Sequence, residues 1–383
     1  MTRKITERVF DIEEQVAELS ILALDSASDL GAKIDKQLLR WLGGNEKHPV
    51  ESFLIENSCP RFTSGDGKGI IHNTVRGSDL YILADVGNYS CKYTLFGQEV
   101  PMSPDEHFQD IKRIIQAAGG KAHRITLITP ILYGGRQHKR NNRESLDCAN
   151  ALQEFERMGI KNIVTFDAHD NRVQNAVPLM GFDNVFPTYQ VLKALFKKVP
   201  DLKIDRENLM IISPDEGALN RNIYYSSVMS LDLGMFYKRR DYANVVNGRN
   251  QIIAHEYLGA SVEGKDIFIN DDIIASGDSM LEVAYELKKR KAKRIFCSAT
   301  YTMFTSGIEC FQKAYEDGVI SAVVGTNLTY LKPELKQVEW FIEADLSKYI
   351  AYIIAALNHD LSISLVIDPF ERIKKLLENY KSK

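Results

Sequence analysis

Short apolar runs alternate with amphipathic stretches along most of this chain. Runs at 79–86, 125–132, 162–167, 209–215, 228–237, 266–272, 294–303 and 321–326 have the length and β-branched content of buried strands. Between them, 105–118, 143–158, 279–291 and 308–317 carry apolar residues at helical spacing. Strands that alternate with helices predict parallel sheets covered by helices on both faces, hence an α/β protein with two doubly wound parallel-sheet domains. Residues 9–39 also show helical spacing and run into Trp41-Leu42-Gly43-Gly44, a helix stop. The pattern therefore divides the chain into a helical N-terminal extension (1–50), an α/β domain (51–188, completed by 340–383) and a second α/β domain (189–339).

Composition changes this picture little. The chain has 383 residues, enough for two domains, of which 44% are apolar and 26% charged, as in an ordinary globular enzyme. A net charge of -3 argues against a nucleic-acid-binding surface over much of the protein, yet leaves room for local phosphate sites. The five cysteines are scattered without CxxC spacing, so neither a disulfide framework nor a zinc site is expected. The start is charged, and no apolar run approaches the length of a membrane span. A cytoplasmic protein with no membrane partner is the expectation.

In a doubly wound sheet, ligands collect at the carboxyl ends of the strands, and the chemically distinctive residues fall there. Asp271-Asp272 follow an apolar run and lead through Ala275-Ser276-Gly277-Asp278-Ser279 into a helix. Paired carboxylates can accept from neighbouring sugar hydroxyls, and a hydroxyl-rich loop at a helix N-terminus can hold a phosphate. Taken alone, an acid pair and an N-cap serine would be the plain alternative. Asp167 and His169 are two apart after another run, where a lone histidine is more often structural. Ser213-Pro214-Asp215-Glu216-Gly217-Ala218 reads equally as an ordinary turn. Arg136-Gln137-His138-Lys139-Arg140 and Lys238-Arg239-Arg240 are basic runs, commonly just solvated.

Order and spacing turn these weak segments into a strong signal. From about Arg61 onward the chain resembles the phosphoribosyl pyrophosphate synthetases, whose fold is built from two type I phosphoribosyltransferase-like domains. The resemblance implies that Asp271 and Asp272 hold ribose hydroxyls, and that Ser276, Gly277 and Ser279 hold the 5-phosphate. It makes Asp215 and Gly217 a pyrophosphate loop, with His169 and Asp215 near Mg2+. The ATP contacts it implies are Arg136 and Gln137, together with Phe62, Ser64 and Asp66 of Phe62-Thr63-Ser64-Gly65-Asp66. Lys238 and Arg240 would stabilise the transition state from a mobile loop. The sequence departs from the family at Ser64, His138, Ala218 and Ala275.

By that resemblance the reaction joins ATP and ribose 5-phosphate, with Mg2+, into phosphoribosyl pyrophosphate and AMP. The enzyme would be a homo-oligomer, dimer-based and up to a hexamer, with ATP sites at subunit contacts. A catalytically silent regulatory homologue is the alternative that the departures keep open. A phosphoribosyltransferase ranks third, because it leaves the second lobe and the basic runs unexplained.

Overall fold

The computed structural model describes residues 15–43, 50–246 and 249–381, without the side chains of 238–246, 249–255, 365–366 and 381. The chain divides into two compact units. Unit 1 takes the residues up to Pro187 with Asn327–Tyr330 and Asp345–Asp368; unit 2 takes Thr188–Thr326, Leu331–Ala344 and the chain from Pro369.

Unit 1 contains strands β1 (Leu19–Ala23), β2 (Asn57–Ser58), β3 (Ile70–Ile71), β4 (Asp79–Leu83), β5 (Lys92–Leu95), β6 (Gln98–Pro101), β7 (Arg124–Ile128), β8 (Asn162–Phe166) and β9 (Gly181–Val185). Its helices are α1 (Ser28–Leu42), α2 (Pro104–Ala118) and α3 (Asp147–Arg157), joined by a returning helix at Ser347–Asn358. The main sheet is parallel, in the order β1-β4-β7-β8-β9. One face presents Leu80, Ile82, Leu127 and Ile163 to Ile111, Ile114 and Ile115 of α2 and to Leu152 and Phe155 of α3. The other face is covered by α1, which comes so close that a Cβ on Gly31 would lie 2.5 Å from Cβ of Ala23. Burial of Leu30, Ile34, Leu38 and Leu42, four residues apart, gives α1 a single apolar stripe. Its Trp41 stacks on Tyr352 of the returning helix with ring centroids 4.2 Å apart.

Unit 2 contains β10 (Leu209–Ser213), β11 (Asp232–Val246), β12 (Arg249–Leu258), β13 (Asp266–Ile274), β14 (Ile295–Thr302), β15 (Ala322–Thr326) and β16 (Phe341–Ala344). The helices are α4 (Thr188–Lys198), α5 (Leu219–Met229), α6 (Asp278–Lys289) and α7 (Glu309–Glu316), with a last helix at Phe370–Lys381. The sheet order is β12-β11-β10-β13-β14-β15-β16, parallel except for the β11–β12 pair. Residues Met210, Ile212, Ile267, Ile269 and Cys297 face α6 and α7. On the opposite face Phe268 meets Tyr225 of α5 at 5.4 Å between ring centroids.

Each sheet is anchored where its central strands begin. In unit 1, Arg124 forms a two-pronged pair with the fully buried carboxylate of Asp79, at 2.8 and 2.7 Å. Tyr81 and Asn358 also donate to Asp79, and Arg124 reaches Leu357 O and Asp360. In unit 2, Arg294 grips Asp266 in the same two-pronged way, at 3.0 and 2.6 Å, and reaches Asp201. Asp85, which follows β4, is another buried acid of unit 1. It accepts from Gly87 N, Thr329 Oγ1 and Tyr330 N, and so holds the segment 327–330.

The two-sheet α/β architecture agrees with the sequence pattern, but the N-terminal extension does not. Residues 19–23 form an edge strand, not a helix, and they lie in the first sheet rather than outside it. A five-residue, mostly apolar run is too short to reveal its period, and here pairing with β4 decides it. Residues 9–14 of the expected helix lie outside the described residues. The return of 340–383 to the first domain also needs correcting. Strand β16 pairs with β15, and Tyr380 of the last helix packs on Phe196 of α4, so only Asp345–Asp368 and Asn327–Tyr330 join unit 1.

Two stability measurements test these anchors. Arg124→Met strands the Asp79 carboxylate in the core, and urea denaturation should show a loss of about 3–5 kcal/mol. Burial pushes the Asp85 carboxyl up to about 6, despite the hydrogen bonds that oppose it. The folded chain thus holds this proton more tightly than the unfolded chain. The stabilisation is complete below about pH 4 and is lost as the pH rises to about 6, a change of about 3 kcal/mol. Asp85→Asn should flatten that part of the stability profile; an unchanged profile would remove Asp85 as its source.

Candidate functional site

The acid pair lies in unit 2. Strand β13 runs two residues beyond it to Ile274, so Asp271 and Asp272 sit within the strand, with Asp271 opposite Ala299 of β14. Asp272 is buried and Asp271 partly so; the Asp271 carboxylate accepts from Asp272 N at 2.8 Å. Burial, followed by the neighbouring Asp272 charge, pushes the Asp271 carboxyl well above the usual carboxylate range. Arg221 of α5 opposes this at 3.7 Å. Such a pair is poised to accept hydrogen bonds or a cation, since either relieves the carboxylate repulsion.

The loop after β13 turns on Gly277, whose φ of 98° is left-handed, and α6 starts at the next residue. Ser276 and Ser279 flank this glycine at the helix N-terminus, where unpaired N–H groups favour an anion. Ser276 Oγ donates to the Asp278 carboxylate at 2.9 Å, so Asp278 turns towards the loop rather than away from it. Beside the pair, Asn222 Nδ2 bonds Ser213 Oγ, Ala218 O and Asn270 O and ties the end of β10 to β13. Asp215 accepts from Ala218 N. Ala218 has φ -84°, so nothing at this position demands glycine, and Gly217 has no positive φ either.

Lys238 and Arg240 do not lie on a loop. Both belong to β11, opposite His255 and Ile252 of β12, with a register shift between Arg239 and Arg240. The stretch after Tyr237 reads as loosely patterned because its polar and apolar residues alternate irregularly; cross-strand pairing makes it a ribbon. Their side chains lie outside the described residues.

The remaining sequence-derived residues lie in unit 1. Phe62 is exposed at the tip of a tight loop closed by Phe62 N to Asp66 O at 2.7 Å and by the Arg61–Gly67 bridge. Ser64 Oγ donates to Asp66, and Lys68 lies 5.7 Å from the Phe62 ring centre. The β5–β6 hairpin buttresses this loop. A Cβ on Gly65 would lie 2.5 Å from Cδ1 of Leu95, and the Arg61 guanidinium sits 5.4 Å from the Tyr93 ring centre. Arg136 is exposed in the loop after β7, while Gln137 bonds Ser145 O. After β8, Asp167 adopts φ 44° and is followed by exposed His169, whose ring lies 5.3 Å from that of His138.

Two residues escaped the sequence reading. Asp170 lies 3.4 Å from His138 Nε2 and is gripped by Arg172, which holds its carboxyl down at about 2. Arg221 counters the charge of Asp271. Both stand just past the segments named from the sequence, but nothing in their spacing marks a charge partner, since pairing depends on the fold. His169 belongs to unit 1 and Asp215 to unit 2. Among the described residues, no group of three His, Cys, Asp or Glu is set to hold a metal by itself. Among them too, no helix is long and apolar enough to cross a membrane.

Comparison with known proteins bears on the two domains and their fold. Residues 19–159 match the N-terminal domain of ribose phosphate pyrophosphokinase, and residues 183–308 match the phosphoribosyl transferase domain. The first match includes β1, so the likeness begins before Arg61. Ribose-phosphate pyrophosphokinase of Pasteurella multocida is 28% identical over 352 residues, covering 91% of this chain and 98% of its own. That of Vibrio cholerae is 27% identical over 322 residues, covering 82% and 92%. The fold is that of phosphoribosylpyrophosphate synthetase from Mycobacterium smegmatis, with a TM-score of 0.71 at 18% identity over 90% of this chain and 99% of that one. With both domain types matched in sequence order, and relatives alike along nearly their whole length, the chain belongs to the ribose-phosphate pyrophosphokinase family.

Proposed function

We propose that this protein transfers the diphosphoryl group of ATP to the anomeric hydroxyl of ribose 5-phosphate, giving phosphoribosyl pyrophosphate and AMP. The acid pair with its adjoining helix-start loop carries this reading. Asp271 and Asp272 accept from the sugar's neighbouring hydroxyls, and N–H groups around Gly277 with Ser276 and Ser279 receive the 5-phosphate. An incoming phosphate competes with Asp278 for Ser276, so the hydrogen bond between those two side chains gives way on binding.

ATP is assigned to Arg136, Gln137 and the loop bearing Phe62, Ser64 and Asp66. The exposed Phe62 ring supplies a stacking face for a base, and Lys68 beside it adds a cation. Charge on the moving group is balanced by Lys238 and Arg240, since phosphoryl transfer depends mainly on positioning and neutralisation. The carboxylates of Asp215 and Asp271 are hard oxygen donors of the kind Mg2+ prefers, and the raised Asp271 carboxyl is a group that a cation relieves. When bound with ATP, Mg2+ would neutralise phosphate oxygens, and His169 would assist through a water. Cytoplasmic location and assembly into homo-oligomers are parts of the same proposal; light scattering on the purified protein tests the assembly.

The direct test incubates the protein with ATP, ribose 5-phosphate and Mg2+ and separates the products by chromatography. Equal amounts of AMP and phosphoribosyl pyrophosphate are expected, dependent on the sugar phosphate and on the metal. Lys238→Ala should lower turnover about 10³-fold. No product despite saturable binding of both substrates would replace the proposal with a silent regulatory homologue.

Gly277→Ala examines the phosphate loop separately. A Cβ there would lie 2.2 Å from Cε2 of Phe311, a buried ring with little room to retreat, on a backbone already at φ 98°. Strain of about 1–3 kcal/mol is expected. Calorimetry should show weakened ribose 5-phosphate binding with ATP binding retained; equal losses for both would count against the loop assignment.

A further inference from the structure

Unit 1 contains a cavity of about 70 Å³ that none of the assignments above uses. It opens between the end of β1, the base of the 61–67 loop, the β5–β6 hairpin and α2. That space admits an ammonium group with its first carbons, and the rest of a longer chain would lie at the open mouth.

The polar groups on its wall are unevenly matched. His107 is 2% exposed, and its Nε2–H donates to Asn88 O at 2.7 Å, because a carbonyl can only accept. Burial lowers the pKa of this ring, which keeps it neutral and leaves Nδ1 as a bare acceptor. Among the described residues nothing donates to that nitrogen. Asn57 spends its amide N–H groups on Ala23 O and Ile55 O, at 3.0 and 3.3 Å, and so presents Oδ1. Asp25 stands exposed at the rim, its carboxylate without a hydrogen-bond partner among the described residues.

The donors, by contrast, are largely taken. Arg61 Nη1 bonds Cys59 O, and its Nη2 bonds Glu106 and Asp110; only its buried Nε lacks a partner. Tyr93 donates to Glu106 at 3.3 Å. Lys92 is drawn to Glu99 on β6 at 2.8 Å. The negative field extends to the thiols, since burial and then Asp110 push Cys59 up to about 12. No three metal-type side chains are grouped there among the described residues, so a bare metal ion is poorly served.

We propose that this pocket binds a small organic amine as its ammonium cation, with N–H donors directed at His107 Nδ1, Asn57 Oδ1 and Asp25. Such a ligand supplies what the wall lacks, several N–H donors and one or more positive charges. It would also touch Arg61 at the base of the Phe62 loop and Tyr93 of the hairpin that buttresses it. Occupancy would therefore stiffen that loop. The site is formed by unit 1 alone and depends on no step of diphosphoryl transfer.

Spermidine is the probe, titrated into the full chain by calorimetry, with inorganic phosphate as the anionic control. Saturable one-to-one binding of spermidine is expected, with a change in the ¹⁵N shift of His107 Nδ1. Asp25→Asn should weaken binding two- to fivefold, roughly the worth of one exposed charge contact, and Lys92→Ala should strengthen it by a similar factor. Both side chains are on the surface, and circular dichroism checks that the variants fold. Absence of binding, or binding that leaves the His107 nitrogen unmoved, overturns the proposal. So does phosphate binding that weakens in Lys92→Ala, which would make Arg61 and Lys92 an anion site.

Discussion

Each sheet depends on one buried carboxylate held by one arginine. Asp79 and Asp266 stand at the start of β4 and β13, and Arg124 and Arg294 reach them from the start of the neighbouring strand. A buried pair of this kind contributes modestly to net stability, because desolvation offsets most of the attraction. Its stronger effect is on specificity. A one-residue slip of β4 against β7 would separate the guanidinium from both carboxylate oxygens and leave a charge in the core. The two pairs therefore fix strand register, and with it the height at which the loops leave the opposite ends of the strands. In unit 1 the same carboxylate also takes Asn358, which fastens the returning helix to the sheet it covers.

Fixed register at one end allows electrostatic tension at the other. Asp271 and Asp272 are successive residues of a strand held on both sides by parallel partners. They cannot separate to relieve their repulsion. Arg221 compensates only in part, and burial together with the Asp272 charge keeps the Asp271 carboxyl raised. Hydrogen-bond donors or a positive charge would relieve a carboxylate pair held this way. Asp167, buried with a left-handed backbone at the end of β8, shows comparable strain at the end of a strand in unit 1.

What the sequence revealed follows from which signals are local. Strands β4, β7, β8, β10, β13, β14 and β15 coincide with apolar runs, because burial on both faces writes a continuous hydrophobic stretch. The acid pair and the Gly277 loop were legible as adjacent residues of distinctive chemistry. Strand β1 was not, since a short, mostly apolar run beside a true amphipathic helix read as more of that helix. The ribbon of β11 and β12 was hidden too, because its irregular alternation acquires meaning only through cross-strand pairing. Arg221 and Asp170 went unnoticed for a related reason: a charge partner is chosen by proximity in space, which spacing along the chain does not encode.

The departures from the family's sequence carry different weights once the backbone is seen. Ala218 is neutral, because its φ of -84° suits any residue. Ser64 is accommodated within its own loop by bonding Asp66. His138 is the substantial change. Where the family has an acid, a half-buried imidazole faces Asp170 and lies beside His169. Burial lowers its pKa, so a negative charge is exchanged for a neutral ring, and the nearest negative charge becomes Asp170, already claimed by Arg172. The basic loop at 136–140 thus faces less negative charge than its relatives' loop would. An anion meeting this loop would be attracted more strongly than the family's acid would allow.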